Sequence, residues 1–381
     1  MECYLDNAAT SHPKPKEVLE SVRRALTEEN ANPGRSGHER ALRAANRLLS
    51  TREALGAFLG AEDPFRVAFC FNCTDALNLA IKGSLKRGDH AVASALEHNS
   101  VLRVLNTLKE KGEIELTIVE PMPDGRIDPA SYAVSIRKNT RLFVLTHASN
   151  VTGTIQPVES VGQLARANGI RYLIDGAQAL GSVPADVRAL GCDLYAFPGH
   201  KSLLGPQGTG GLYVAPGVSL DTLREGGTGS ASESLSQPDD LPDRYEAGTM
   251  NLPGIAGLGA GVELVSKEIR RISERETALS NNLISELGKI PGVTLYSLPS
   301  RTVRTGAVSF NVRDISSGDA ADWLSRRGIC VRAGLHCAPL AHRAQGTLSR
   351  GCVRASFGYF STDDDAETLL RAVRDLAKSA E

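Results

Sequence analysis

Three stretches of the chain carry residue types that do chemistry. In "RAGLHCAPLAH", residues 332–342, Cys337 directly follows a histidine and lies between Arg332 and a second histidine, His342. A thiolate is a nucleophile, and Arg332, His336 and His342 are candidate positive or proton-accepting groups for it. A zinc site needs clustered partners, and "HC" with one distant histidine lacks the usual spacing. An ordinary buried cysteine is the third reading. The other two stretches are "LIDGAQALG", residues 173–181, and "FPGHKSLLGPQGTGGLYV", residues 197–214. The first sets Asp175 at the end of an apolar run. The second sets Lys201 after another such run, beside His200 and ahead of glycines that permit close backbone approach.

Asp175 or Lys201 taken singly reads as half of a surface ion pair. Taken together, a carboxylate and a lysine at neighbouring strand ends suit pyridoxal 5'-phosphate: the amine condenses with the aldehyde, and the carboxylate keeps the pyridine nitrogen protonated. A phosphate needs free amides at a helix N-terminus and a hydroxyl, and "FCFNCTDALN" offers both, with Thr74 as the expected cap. The same segment holds a CxxC, Cys70 to Cys73, but no second pair completes a zinc site, so Cys70 is expected in the core. His98 in "ALEHNS" could lie over a cofactor ring or be a polar loop residue. Asn150 in "THASNVTGT" could orient a ring hydroxyl or a carboxylate, or merely hold a turn. Arg354 in "CVRASFGY" can grip a carboxylate through two parallel hydrogen bonds, or be an ordinary surface arginine. "GPQGTGG" is no dinucleotide loop, because it precedes a strand instead of joining a strand to a helix.

The elements that must position these residues form an α/β pattern. Seven runs, "VAFCF", "HAVASA", "IELTIV", "RLFVLTH", "RYLIDGA", "LYAFPG" and "GGLYVA", alternate with helical stretches and predict a mostly parallel seven-stranded sheet. Open sheets of this kind bind ligands outside the carboxyl ends of their strands, where five of the candidates fall. "VESVGQLARANG" reads as a helix ending at a glycine. The Gly-, Ser- and Pro-rich residues 225–243 read as a functional or disordered loop. The sustained helical period of residues 262–290 predicts a helix bridging two domains. The remainder reads strand, strand, helix, strand, strand, helix, with Thr362 starting the last helix. The expected division is a large domain over 15–255 and a smaller α+β domain of 1–14 and 256–381. Cys330 and Cys352 lie in apolar strand patterns and are expected to be structural.

With 381 residues, 41% hydrophobic and 23% charged, and a formal net charge of -1, the chain has the composition of an ordinary globular enzyme. No basic stretch points to nucleic acid or a membrane surface, and no apolar run is long enough to span a bilayer. Seven cysteines, an odd number, do not suggest a disulfide framework. They are expected as thiols in the cytoplasm.

In order along nearly the whole chain, "YLDNAAT", "NPGRSGH", "EHNS", "HASNVTGT", "DGAQALG", "GHKSLLGPQGTGGLYV", "YEAGTMN" and "RAGLHCAPLAH" resemble the cysteine desulfurase family of class V aminotransferases. The resemblance implies pyridoxal-phosphate fold type I, a homodimer with active sites near the interface, and the cofactor held by Lys201. It further implies that Asp175 pairs with the ring nitrogen, Gln178 faces the ring hydroxyl and His98 stacks on the ring. Thr74 and His200 would bind the phosphate, with Thr249 contributing from the other subunit, and Cys73 and Asn150 would also contact the cofactor. Arg354 would take the substrate α-carboxylate, with Asn150, Arg332 and Ala9 also at the substrate. Cys337 would accept sulfur from L-cysteine as a persulfide, and a sulfur-acceptor protein would take it on. The seventeen residues from Cys337 to Arg354 resemble the branch with a compact cysteine loop. Pro198 stands where many relatives carry Ser or Thr, and Met250 where they often carry Pro. A selenocysteine lyase or cysteine sulfinate desulfinase would need the same cofactor site; a cofactor-free interaction protein would not need Lys201 and Asp175.

Overall fold

The computed structural model describes residues 2–33 and 37–379; residues 34–36 of the "NPGRSGH" motif lie outside the described residues. The strands in chain order are β1 (Cys3–Tyr4), β2 (Val67–Cys70), β3 (Asp89–Ser94), β4 (Ile114–Val119), β5 (Thr140–Thr146), β6 (Arg171–Asp175), β7 (Leu194–Pro198) and β8 (Gly210–Val214), followed by β9 (Val293–Leu295), β10 (Ala307–Val312), β11 (Ile329–Cys330), β12 (Arg332–Gly334) and β13 (Cys352–Ser356). Each of the seven apolar runs expected from the sequence coincides with one strand of β2–β8.

These seven form one sheet in the order β2-β8-β7-β6-β5-β3-β4. β8 runs antiparallel to both of its neighbours and the other pairings are parallel. Helices cover both faces, so β7 and β8 are buried along their whole length and read as continuous apolar runs instead of alternating ones. Parallel order brings the carboxyl ends of β2, β3, β5, β6 and β7 to one edge.

The helix after β2 spans Cys73–Ser84, and its cap is Asn72, not Thr74. Asn72 Oδ1 accepts from the Asp75 amide at 2.9 Å. The cap lies two residues earlier than expected, which places Thr74 in the first turn with its hydroxyl turned to another partner. Val158–Ala167 ends as expected before Gly169, whose φ of +61° a side chain would disfavour.

Residues 215–251 contain no helix or strand. The end of this segment is nonetheless anchored: Glu246 pairs with Arg52 through two bonds of 2.6 and 2.8 Å, and its Oε1 also accepts from the Phe69 amide of β2 at 2.7 Å. The bridging helix runs over Leu252–Leu287, 36 residues, about 54 Å at 1.5 Å per residue. One part packs on the helices Lys16–Thr27 and Glu39–Leu59, and another on β10 and the helix Asp363–Ser379.

A second sheet has the order β12-β13-β10-β9, and β1 pairs in parallel with β11. Leu5 therefore joins a separate hydrophobic cluster with Leu283, Val308, Phe310, Val353 and Leu369. The C-terminal order departs from expectation: the stretch 329–334 divides into two short strands serving different ladders, and a short helix, Pro339–Ala344, precedes β13. The Thr362 start is as expected, with Thr362 Oγ1 accepting from the Asp365 amide and Asp365 Oδ2 accepting from the Thr362 amide. Cys70 and Cys352 are buried, whereas Cys330 is half-buried with its sulfur 2.9 Å from Glu2 Oε1.

Candidate active site

At the carboxyl edge of the large sheet lies a cavity of about 220 Å3. Ala9, Cys73, Thr74, His98, Asn150, Asp175, Gln178, His200, Lys201, Arg332 and Arg354 all line it. The sequence thus nominated eleven residues that the fold gathers around one space. Cys337 sits beside it, and Thr249 does not line it but lies exposed in the loop before the bridging helix.

Asp175 terminates β6 and is buried. Its Oδ1 accepts from the Ala177 amide at 2.9 Å and lies 3.7 Å from Cys73 Sγ. Burial raises its pKa, opposed by the Ala177 amide and by the positive charge of Lys201. Lys201 follows β7 after a turn that only a glycine permits: a Cβ on Gly199 would lie 2.2 Å from Thr209 Oγ1. Burial pulls the Lys201 amine below its ordinary value, with Cys73 and Asp175 pulling the other way. No hydrogen bond ties that amine down among the described residues, so it faces the cavity next to a buried carboxylate.

One wall is a hydroxyl–imidazole chain. Ser100 Oγ lies 2.9 Å from Thr74 Oγ1 and 2.7 Å from His98 Nδ1. Burial and the nearby Lys201 charge pull His98 down to about 4, so it is neutral at pH 7. His200 is likewise pulled down to about 4, by burial first, and its buried Nδ1 has no partner among the described residues. The backbone oxygen of His200 accepts from Ser11 and Lys14, which staples the N-terminal segment over the site. Gln178 Nε2 donates to the Ala8 carbonyl at 3.1 Å.

Arg354 lies on β13 and is 1% exposed. Its Nη1 donates to the Asn150 carbonyl at 2.9 Å and its Nη2 to Asp6 Oδ1 at 3.1 Å, while the buried Nε has no partner among the described residues. An unpaired buried N–H is costly, and Arg354 lines the cavity, so this donor is left for an acceptor that binds there. Asn150 Nδ2 donates to the His336 carbonyl at 2.6 Å, and the Cys337 carbonyl accepts from the Asn99 amide at 2.7 Å. These bonds hold His336 and Cys337 at φ of +47° and +57°, a left-handed conformation that side chains other than glycine disfavour. Arg332 Nη2 lies 3.7 Å from Cys337 Sγ.

Sequence reasoning missed Asp6, Ser100 and the local role of His336. Asp6 and Ser100 stand inside "YLDNAAT" and "EHNS", but a short polar residue in such a motif carries no signal of its partner. The donor set fits pyridoxal phosphate: a loose amine, a buried carboxylate for a ring nitrogen, an unpaired imidazole nitrogen, and a helix N-terminus carrying a hydroxyl.

The Aminotransferase class-V family model matches residues 3–369. A probable cysteine desulfurase of Methanothermobacter thermautotrophicus is 35% identical over 98% of this chain and 94% of its own length. The cysteine desulfurase of Escherichia coli K12 is 33% identical over 97% of this chain and 92% of its own. Among solved structures, the apo cysteine desulfurase of Thermococcus onnurineus NA1 superposes with a TM-score of 0.93 at 31% identity, covering 99% of this chain and 95% of that one. The fold is therefore pyridoxal-phosphate fold type I, and the chain belongs to the class-V aminotransferase family, within which these similar relatives are cysteine desulfurases.

Proposed function

We propose that this chain is a pyridoxal-phosphate-dependent cysteine desulfurase: L-cysteine and the Cys337 thiol give L-alanine and a persulfide on Cys337. When bound, the cofactor draws electrons from the substrate α-carbon and makes its sulfur open to attack. Lys201 holds the cofactor and, once released, carries the proton to and from the α-carbon. Asp175, kept dry at the end of β6, fixes the ring nitrogen in its cationic form. Thr74, Ser100, His200 and the amides of the Cys73–Ser84 helix receive the phosphate, and His98, neutral, covers the ring. Arg354 offers Nε and Nη2 to the substrate carboxylate, which orients the substrate with its sulfur toward Cys337. Arg332 supplies a positive charge against the attacking sulfur.

The observation that carries this reading is the convergence of Lys201, Asp175 and the half-used Arg354 fork on one cavity, with Arg332 bridging that cavity to Cys337 at 3.7 Å. The exposure of Thr249 supports a homodimer in which each loop serves its partner's site. All seven cysteines are free, which supports a reducing, cytoplasmic setting. The separate core beneath β9–β13 supports a division near residues 14 and 255. The test is the Cys337→Ala variant loaded with cofactor: it should keep the cofactor absorbance and release no sulfide above background. Wild-type turnover by that variant would refute the assignment.

A further inference from the structure

Beside Cys337, three buried side chains meet, one of which, His336, also lines the active-site cavity. His336, His342 and Cys352 place one nitrogen, one nitrogen and one sulfur within 4.8 Å of one another. His336 Nδ1 lies 3.3 Å from His342 Nε2 and 3.9 Å from Cys352 Sγ. For metal bonds of about 2.0–2.1 Å to nitrogen and 2.3 Å to sulfur, angles between tetrahedral and trigonal require roughly 3.3–3.6 Å between nitrogens and roughly 3.6–3.8 Å between nitrogen and sulfur. The two observed separations fall close to those values.

The outer hydrogen bonds add an independent observation. His336 Nε2 lies 3.3 Å from the Arg332 carbonyl, which can only accept, so the ring proton belongs on Nε2 and Nδ1 presents a lone pair. His342 Nδ1 lies 2.7 Å from Thr347 Oγ1, whose own hydroxyl donates to the His342 carbonyl at 3.3 Å. With the hydroxyl donating there, its oxygen accepts from Nδ1–H and His342 Nε2 presents a lone pair; with the hydroxyl donating to Nδ1 instead, His342 Nε2–H donates to His336 Nδ1. In the first of these tautomers two lone pairs face each other across 3.3 Å and each ring is held by an outer acceptor, the arrangement metal-ligating imidazoles usually have. In that tautomer a thiol proton from Cys352 can satisfy one of them and leaves the other open to an ion.

Charge decides the kind of ion. Arg354 and Arg332 both act on His336. A divalent ion with one thiolate would bury a net positive charge against those guanidiniums, whereas a monovalent ion with one thiolate is neutral. The three ligands are 3%, 0% and 0% exposed, and a set of two imidazole nitrogens and one sulfur without carboxylates favours a soft ion.

We propose that His336, His342 and Cys352 form a buried three-ligand site for a soft monovalent ion of the copper(I) class. On binding, the Cys352 thiol gives its proton to solvent, the two imidazole lone pairs and the thiolate bind the ion, and no electron changes hands. Occupancy ties the His336 ring, and so the strained backbone at Cys337, to β13.

Anaerobic titration of purified protein with copper(I) held by a chromogenic chelator tests this without reference to turnover. One ion per chain should be withdrawn by the wild type and by Cys337→Ala, and at least tenfold weaker binding is expected for Cys352→Val and for His342→Gln. Zinc at equal concentration should leave the bound copper(I) in place. Wild-type binding by Cys352→Val, loss of binding in Cys337→Ala, or displacement by zinc would each overturn the proposal. Should the variants misfold, X-ray absorption of the wild-type complex decides: two nitrogens and one sulfur around copper support the site, and sulfur-only coordination refutes it.

Discussion

Replacing Arg354 by lysine keeps a positive charge and removes the fork. In the structure the guanidinium uses Nη1 and Nη2 on Asn150 and Asp6, leaving Nε unpaired and buried at the cavity wall. A substrate carboxylate that takes Nε and the second hydrogen of Nη2 gains two charge-assisted bonds of about 1.5–3 kcal/mol each. Lysine can supply one of the two at best, so the loss is about 1.5–3 kcal/mol, or roughly 13- to 160-fold at 1.36 kcal/mol per decade. The loss should fall mainly on binding, because the carboxylate is gripped before and during the reaction alike. The assay is a steady-state measurement of alanine from L-cysteine, with an absorbance titration of the cofactor by L-cysteine and by cysteamine, which lacks the carboxylate. Arg354→Lys should weaken L-cysteine and leave cysteamine unchanged. A KM within threefold of wild type, or equal weakening of both amines, would refute the carboxylate role and leave Arg354 as a structural residue.

Lys201→Ala should lose turnover by at least a thousandfold and release its cofactor on dialysis, read as loss of the visible absorbance band. Glu246→Ala removes one partner of a buried ion pair and should destabilise the protein by about 3–5 kcal/mol, measured by urea unfolding; Glu246→Gln should cost less. Burial raises Glu97 to about 8 and Glu276 to about 7. Both stay protonated in the fold where the unfolded chain ionises, so stability should fall as pH rises from about 4.5 to about 8, and Glu97→Gln should flatten that limb. His98, His147 and His200, pulled down to about 4 by burial, act in the opposite direction. They stay neutral while the unfolded chain takes up protons, so stability should also fall as pH drops from about 6.5 to about 4, which a pH series of melting curves checks.

The large sheet was legible because its strands are apolar runs of four to seven residues set off by helical periodicity, a pattern that burial on both faces imposes directly on composition. Cys73, Thr74, His98, Asn150, Asp175, His200 and Lys201 were legible for a related reason: they stand at or just past the ends of such runs, and parallel order makes that sequence position equivalent to position on one edge, whereas Arg332 and Arg354 come from the second sheet. Asn72 displaced Thr74 as the cap because both residue types can cap, and the choice depends on which side chain reaches the Asp75 amide. β11 and β12, of two and three residues, are too short for periodicity to register. The grouping of His336, His342 and Cys352 arises from the short helix and the return of the chain along β13. No local spacing encodes it. The unpaired Arg354 Nε and the left-handed backbone at Cys337 are properties of three-dimensional packing, visible once β13 and the Asn150 turn are brought together.

The central claim is that sulfur passes from cysteine to one thiol. Cofactor-loaded protein mixed anaerobically with one equivalent of L-cysteine per chain, then digested and analysed by mass spectrometry, should yield stoichiometric alanine and one added sulfur on the peptide that carries Cys337. Absence of alanine, or the added sulfur on any other cysteine, would contradict the account.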